Sequence, residues 1–175
     1  MSKKKNSHEQ IFTLCCLALL CAMQVVLARF LVIPISSTLR ISFSFIPVVI
    51  AARRFGVLGA VTVYGLGDLI GAFAFPTTGG YLPGFTVTAA VSGLIFGLFL
   101  QKKGGLVRIV LSVVTSQIVC SLVMNSLWLN HYYGTELLPL IASRTVQCLV
   151  VGAVEILFMV LFLEKICSAL KIRGR

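Results

Sequence analysis

Acidic side chains are nearly missing from this chain, with five Asp and Glu among 175 residues. Charged residues of both signs reach only 11%, against roughly 25% in a soluble domain. Water is the wrong solvent for most of such a surface. No GxxxxGK[ST] phosphate loop occurs, so the chain cannot by itself couple ATP hydrolysis to work. HExxH is also missing, and the two histidines, His8 and His131, fall on opposite sides of the membrane pattern drawn below. That separation excludes a shared metal site or a histidine relay. The six cysteines, Cys15, Cys16, Cys21, Cys120, Cys148 and Cys167, show no CxxC spacing, which supports neither a metal site nor a disulfide framework. They read as small apolar fillers. With no nucleophile and base in evident partnership, no catalytic residue, cofactor or metal is assigned.

What fills the sequence instead is apolar: 58% of residues, at a mean hydropathy of +1.03. The apolar runs are Ile11 to Ile33, Ile41 to Ala52, Val57 to Phe75, Phe85 to Leu100, Leu106 to Asn130 and Leu137 to Leu163. They predict an all-α bundle of six transmembrane helices, because six spans of about 20 residues use nearly the whole length. The chain reads as one integral membrane domain over 1–175, with a tail at 1–10, helices across 11–163 and a basic tail at 164–175. The first run follows Lys3, Lys4 and Lys5, but it is too long for a signal peptide and lacks a small-residue cleavage site. The second run is only about 18 Å long as a helix, short of a hydrocarbon core of about 30 Å. Its outer end needs cover, which the mostly uncharged Pro34 to Arg40 stretch can give by lining a recessed pocket.

The net charge of +10 suggests nucleic-acid binding only if the cations form a face on a soluble fold. Here they flank apolar runs. Twelve of the fifteen, in the groups Lys3 to Lys5, Arg53 and Arg54, Lys102, Lys103 and Arg108, and Lys165 to Arg175, fall on one side if the runs alternate. The positive-inside rule makes that side cytoplasmic and puts both termini there. Small residues recur at four-residue spacing as Ala18 with Ala22, Gly67 with Gly71, and Gly93 with Gly97. Such pairs let helices approach closely in lipid. For the glycines, packing within the bundle is expected; the alanines suit packing or docking to another membrane protein.

Three arginines break the charge pattern: Arg29 near the outer end of the first helix, Arg40 in the first exterior loop, and Arg144 in the sixth helix. Arg29 and Arg144 sit roughly 6 to 8 Å inside the outer ends of their runs. Snorkelling to headgroups accounts for one such residue, whereas three converging arginines suit an anionic ligand, since guanidinium pairs its donors with carboxylates. Asp68 and Glu155 lie mid-span, where facing lipid is costly, so both are expected to face the interior. Asp68 can pair with an arginine or accept from a ligand. The exterior stretch Pro76 to Phe85 holds three glycines, two prolines and two aromatics, Tyr81 and Phe85, and suits a lid. Asn125, Trp128, Asn130, His131, Tyr132 and Tyr133 gather at the outer end of the fifth run. They read as an interfacial belt or as a stacking site for a flat heterocycle.

Taken together, Ala18-x-x-x-Ala22, the Arg40-Ile-Ser-Phe-Ser-Phe-Ile-Pro47 segment, Gly67-Asp68-x-x-Gly71 and Gly80-Tyr-Leu-Pro-Gly-Phe-Thr86 carry a resemblance. The chain resembles the S components, the substrate-binding membrane subunits of energy-coupling factor vitamin transporters, and is most similar to the folate-specific ones. The resemblance implies capture of the vitamin at the exterior face, then docking on a transmembrane scaffold subunit driven by two cytoplasmic ATPases. It also implies that the protein topples in the membrane to deliver its cargo. By the same resemblance Ala18 and Ala22 form the scaffold-docking motif, and the loops at Pro34 to Arg40 and Pro76 to Gly84 act as gates.

A folate fits the residues. Its glutamate carboxylates suit Arg29, Arg40 or Arg144. Its rings suit Trp128, Tyr81, Phe85 and Tyr133, and its pterin N–H donors suit Asp68 and Asn125. Two other readings stand beside this one: an S component for riboflavin, biotin or thiamine, and a small intramembrane enzyme or channel.

Overall fold

The computed structural model describes residues 7–34, 40–75, 81–101, 106–134 and 137–169, with backbone alone at several element ends. Helix α1, Ser7–Arg29, is 23 residues of nearly unbroken apolar sequence. At 1.5 Å per residue it is about 34 Å long, enough to cross a bilayer core. The chain then forms a ribbon absent from the sequence reading. Strand β1, Val32–Pro34, pairs antiparallel with β2, Arg40–Ser42, with Ile33 opposite Ile41 and Pro34 opposite Arg40. Ile41 therefore begins a strand rather than a span: the β-branched Val32, Ile33 and Ile41 favour pairing. The intervening 35–39, the candidate pocket cover, lies outside the described residues.

Helix α2 covers Phe45–Ala74 but is broken at Gly56, where φ is 77° and ψ is −159°. A φ in that range favours glycine, which has no Cβ to clash. The break reverses the chain. Along a straight helix, Ser44 and Tyr64 would stand about 30 Å apart, yet the Ser44 hydroxyl lies beside the Tyr64 phenol. Arg53 and Arg54, expected in a loop here, are helical, and Arg53 is only 8% exposed.

Helix α3, Pro83–Leu100, starts with Pro83 in its first turn, where the missing N–H costs nothing. Beyond it, α4 (Leu106–Ser116), a π-helical segment (Gln117–Met124) and α5 (Asn125–Tyr133) run on without interruption. Gly134 ends them in a left-handed cap at φ 62°, its N–H bonding the Asn130 carbonyl at 2.9 Å. Helix α6 spans Leu137–Ala169. Among the described residues, five helical stretches, Ser7–Arg29, Phe45–Ala74, Pro83–Leu100, Leu106–Tyr132 and Pro139–Leu161, are long and apolar enough to cross a membrane. This is an all-helical, multi-pass membrane architecture.

The core lies around α2, where Val48, Val49, Ala51, Ala52, Ala60 and Val63 are buried with Leu100, Val113 and Met159. Two glycine pairs bring the helices together. A Cβ on Gly93 would stand 2.7 Å from the Ala60 carbonyl, and one on Gly97 2.7 Å from the Val57 Cα. Gly67 lies under the Gln24 amide of α1, and Gly71 under the Arg29 guanidinium. Ala18 and Ala22 differ: both are exposed on α1, so the alternative of packing within the bundle does not hold for that pair. Cys15, Cys16, Cys21, Cys120 and Cys148 are free.

Candidate functional site

Most of the expected site residues converge at one end of the bundle, the end that carries the ribbon. Asp68 sits in the second half of α2, one turn before Gly71, whose bare backbone accommodates Arg29. The Thr86 hydroxyl, in the first turn of α3, donates to Asp68 Oδ2 at 2.9 Å. The Tyr81 hydroxyl reaches Thr86 Oγ1 at 3.4 Å, and its ring stacks on Phe73 at 4.9 Å. Asp68 thus joins two helices and the segment entering α3. Among the described side chains its partner is a neutral hydroxyl donor rather than an arginine, and its second oxygen has no hydrogen bond there.

On the other side of α3, Gly84 lies against the face of Trp128, leaving no room for a side chain. Phe85 beside it is half-buried. Trp128 stacks with Tyr132 at 6.1 Å, while its indole N–H is buried without a partner among the described residues. One turn back, Asn125 Oδ1 is likewise buried and unpartnered. A further turn back is the Ser121 carbonyl, which accepts from Arg144 Nη1 at 3.3 Å. This contact has a local cause. A π-helix shifts hydrogen bonds to the fifth residue and loosens the carbonyl ladder, which suits a charged donor from outside. Arg144 Nε remains without a partner.

Five buried polar atoms therefore meet no partner among the described residues at this end: Gln24 Oε1, Asn125 Oδ1, Ser126 Oγ, Trp128 Nε1 and Arg144 Nε. Leaving such a group unsatisfied costs about 1–3 kcal/mol, and unpaired groups of this kind are a mark of functional sites. Both donors and acceptors are present, as a heterocycle with an anionic substituent requires.

The contacts link Asp68 with Tyr81 through Thr86, and lead from Gly84 through Trp128 and Asn125 to Arg144. Arg29 stands one turn from Asp68. The side chains of Arg40 and Tyr133, and the lid stretch 76–80, lie outside what is described; only the backbones of those two residues are placed, on β2 and at the end of α5. Sequence reasoning missed Gln24 and Thr86. A lone amide in an otherwise apolar first helix was the available signal for Gln24; a threonine in a threonine-rich helix start gave none. Glu155 faces inward, accepting from Gln117 Nε2 at 3.1 Å, which answers the cost of a mid-span carboxylate. Two cavities open around the Gly56 break in α2, and none of these residues lines them.

The fold and this end define a small multi-pass helical membrane protein with polar and aromatic side chains gathered at one end of its bundle. The chain belongs to the substrate-specific components of ECF transporters: that family's model matches residues 12–169. It is 36% identical over 132 residues to the folate transporter FolT of Clostridium novyi (strain NT), covering 75% of this chain and 76% of that protein. FolT of Leuconostoc mesenteroides subsp. mesenteroides is 29% identical over 147 residues, or 80% and 78% of the two chains. Among solved structures, FolT bound with folic acid superposes with a TM-score of 0.75 at 28% identity, over 82% of this chain and 87% of that one. The S component of a bacterial ECF transporter shares the fold, with a TM-score of 0.61 at 22% identity over 93% and 99% of the chains.

Proposed function

We infer that this protein captures folate as the substrate-specific subunit of an ECF-type vitamin importer. The observation that carries the reading is the match, in sequence and in fold, to FolT proteins, including one solved with folic acid. The recess supplies the chemistry. Trp128, Tyr81 and Phe85, with Tyr133, offer stacking faces for the flat rings. Asp68 and Asn125 accept from pterin N–H groups, and Arg29, Arg144 and Arg40 hold the glutamate carboxylates through charge-assisted hydrogen bonds. Gln24 joins them as a further polar partner.

The arrangement in the membrane follows from the Gly56 reversal. The halves of α2 count as two passes, the first short and covered at its outer end by the β1–β2 ribbon. Six helices then leave both termini in the cytoplasm and the recess facing outward, as the cation distribution favours. Ala18 and Ala22 are exposed in a lipid-facing surface with Leu14 and Leu19. That surface docks the transmembrane scaffold subunit, which two ATPases drive. Absorbance of the purified protein tests the choice of cargo: a copurified pterin chromophore is expected. Flavin colour, or stronger binding of biotin or thiamine than of folate, would move the cargo to another vitamin.

A further inference from the structure

The Gly56 end of the bundle has its own polar feature, which the capture of a vitamin at the far end does not use. A cavity of about 310 Å³ opens at the helix reversal, walled by Arg53, Arg54, Gln101 and the backbone of Gly56. Arg53 is 8% exposed, and its Nε is buried with no partner among the described residues. Snorkelling does not describe a guanidinium held inside the protein. Arg54 is exposed and lies over two aromatic rings, 5.7 Å from the centroid of Phe12 on α1 and 5.9 Å from that of Phe55. Those rings fix its position while leaving its N–H donors free, and among the described residues neither arginine is in an ion pair. Two arginines with no ion-pair partner among the described residues thus share one cavity.

A second cavity, of about 210 Å³, shares Arg54, Phe55 and Leu58 with the first and continues along Leu17 and Thr13 of α1. Leu58 is 80% exposed and stands where the groove meets the surrounding apolar face. The pair of cavities is therefore cationic at the reversal and less polar along α1, where Leu17 and Leu58 line it with Thr13 and Thr62, whose hydroxyls are taken up by carbonyls of their own helices. That is the shape of a phospholipid, with phosphate at one end and acyl chain beside it.

We propose that the Gly56 end binds the phosphate of an anionic membrane phospholipid between Arg53 and Arg54, its acyl chain lying in the groove past Leu58 and Leu17. Guanidinium matches phosphate oxygens through paired donors, and basic pockets between membrane helices are suited to anionic headgroups. The lipid would tie α1 to the reversal of α2, because Arg54 touches both.

Native mass spectrometry of the full chain in detergent tests this, with dioleoyl phosphatidylglycerol and dioleoyl phosphatidylcholine as probes. One phosphatidylglycerol should be retained about tenfold more strongly than phosphatidylcholine. R54Q, a change at an exposed position, should lower that preference several-fold, as should R53Q if it folds. R108Q, at an exposed position on α4 that lines neither cavity, should leave the preference unchanged. Equal retention of the two lipids, or an R54Q protein that still discriminates between them, would overturn the proposal. Displacement of the lipid by an equal concentration of glycerol 3-phosphate would assign the site to a soluble phosphate ester instead, which also overturns it. Folate titration of R54Q should match wild type, so a failure here is separable from a failure of the cargo assignment.

Discussion

Replacing Gly84 by alanine puts a methyl group onto the indole of Trp128. An ideal Cβ at this position stands 2.7 Å from both Cε2 and Cγ of that ring, where ordinary contacts begin at 3.4 Å. The ring's Cδ2 is nearer still, so one partner must give way by more than about 0.7 Å. The ring is held on its far side by Tyr132, and α3 is held by its glycine contacts with α2. Overpacking of this kind costs about 1–3 kcal/mol, which corresponds to a melting point lowered by roughly 2–12 °C for a chain of this size. A ring displaced by that much also presents a shifted stacking face, so folate should bind about tenfold or more weakly. The assay is a double-mutant cycle with W128A, read by thermal unfolding in detergent. Removing the indole removes the obstacle, so G84A should cost much less in the W128A background than in wild type, a coupling of about 1 kcal/mol or more. If G84A unfolds at the wild-type temperature, or if the two substitutions simply add, the contact does not organise the recess.

Other consequences are as specific. R144A removes the donor to the Ser121 carbonyl and a cation from the recess; folate affinity should fall about 10- to 100-fold in a calorimetric titration, and wild-type affinity would take Arg144 out of the site. G56A forces a Cβ into a conformation at φ 77°, costing about 1–2 kcal/mol, so thermal unfolding in detergent should begin several degrees lower while no side-chain contact is lost. A18L with A22L alters an exposed face, so folding should change by no more than about 0.5 kcal/mol and folate binding should persist. Copurification with the scaffold and ATPase subunits, and uptake of labelled folate, should be lost; intact uptake would remove the docking role.

Hydropathy made the helical membrane architecture legible, because an apolar run of 20 residues has few other folds open to it. The glycine pairs were legible too, since Gly67, Gly71, Gly93 and Gly97 can serve close approach wherever their helices meet. Local rules failed where a backbone choice depended on distant partners. Ile41 and Ser42 look like the start of a helix until Val32 and Ile33 lie beside them as a strand. The widened turn at Gln117–Met124 has no local signature, being matched to Arg144 and Cys148 on α6, both of which reach its carbonyls. Within the recess, the arginines and aromatics stood out because charge and rings at the outer ends of apolar runs are conspicuous. Thr86 did not, because its role exists only opposite Asp68. Arg53 looked like an orientation signal in a loop and proved to be a buried helical residue, a difference created by the reversal at Gly56.

The most direct test of the central claim is calorimetric titration of the detergent-purified chain, first stripped of copurified ligand, with folate. Saturable heat with one folate per chain, and no heat with thiamine under the same conditions, is the expected result. No heat of binding at micromolar protein, in a sample that still unfolds cooperatively, would contradict the assignment of this recess to folate.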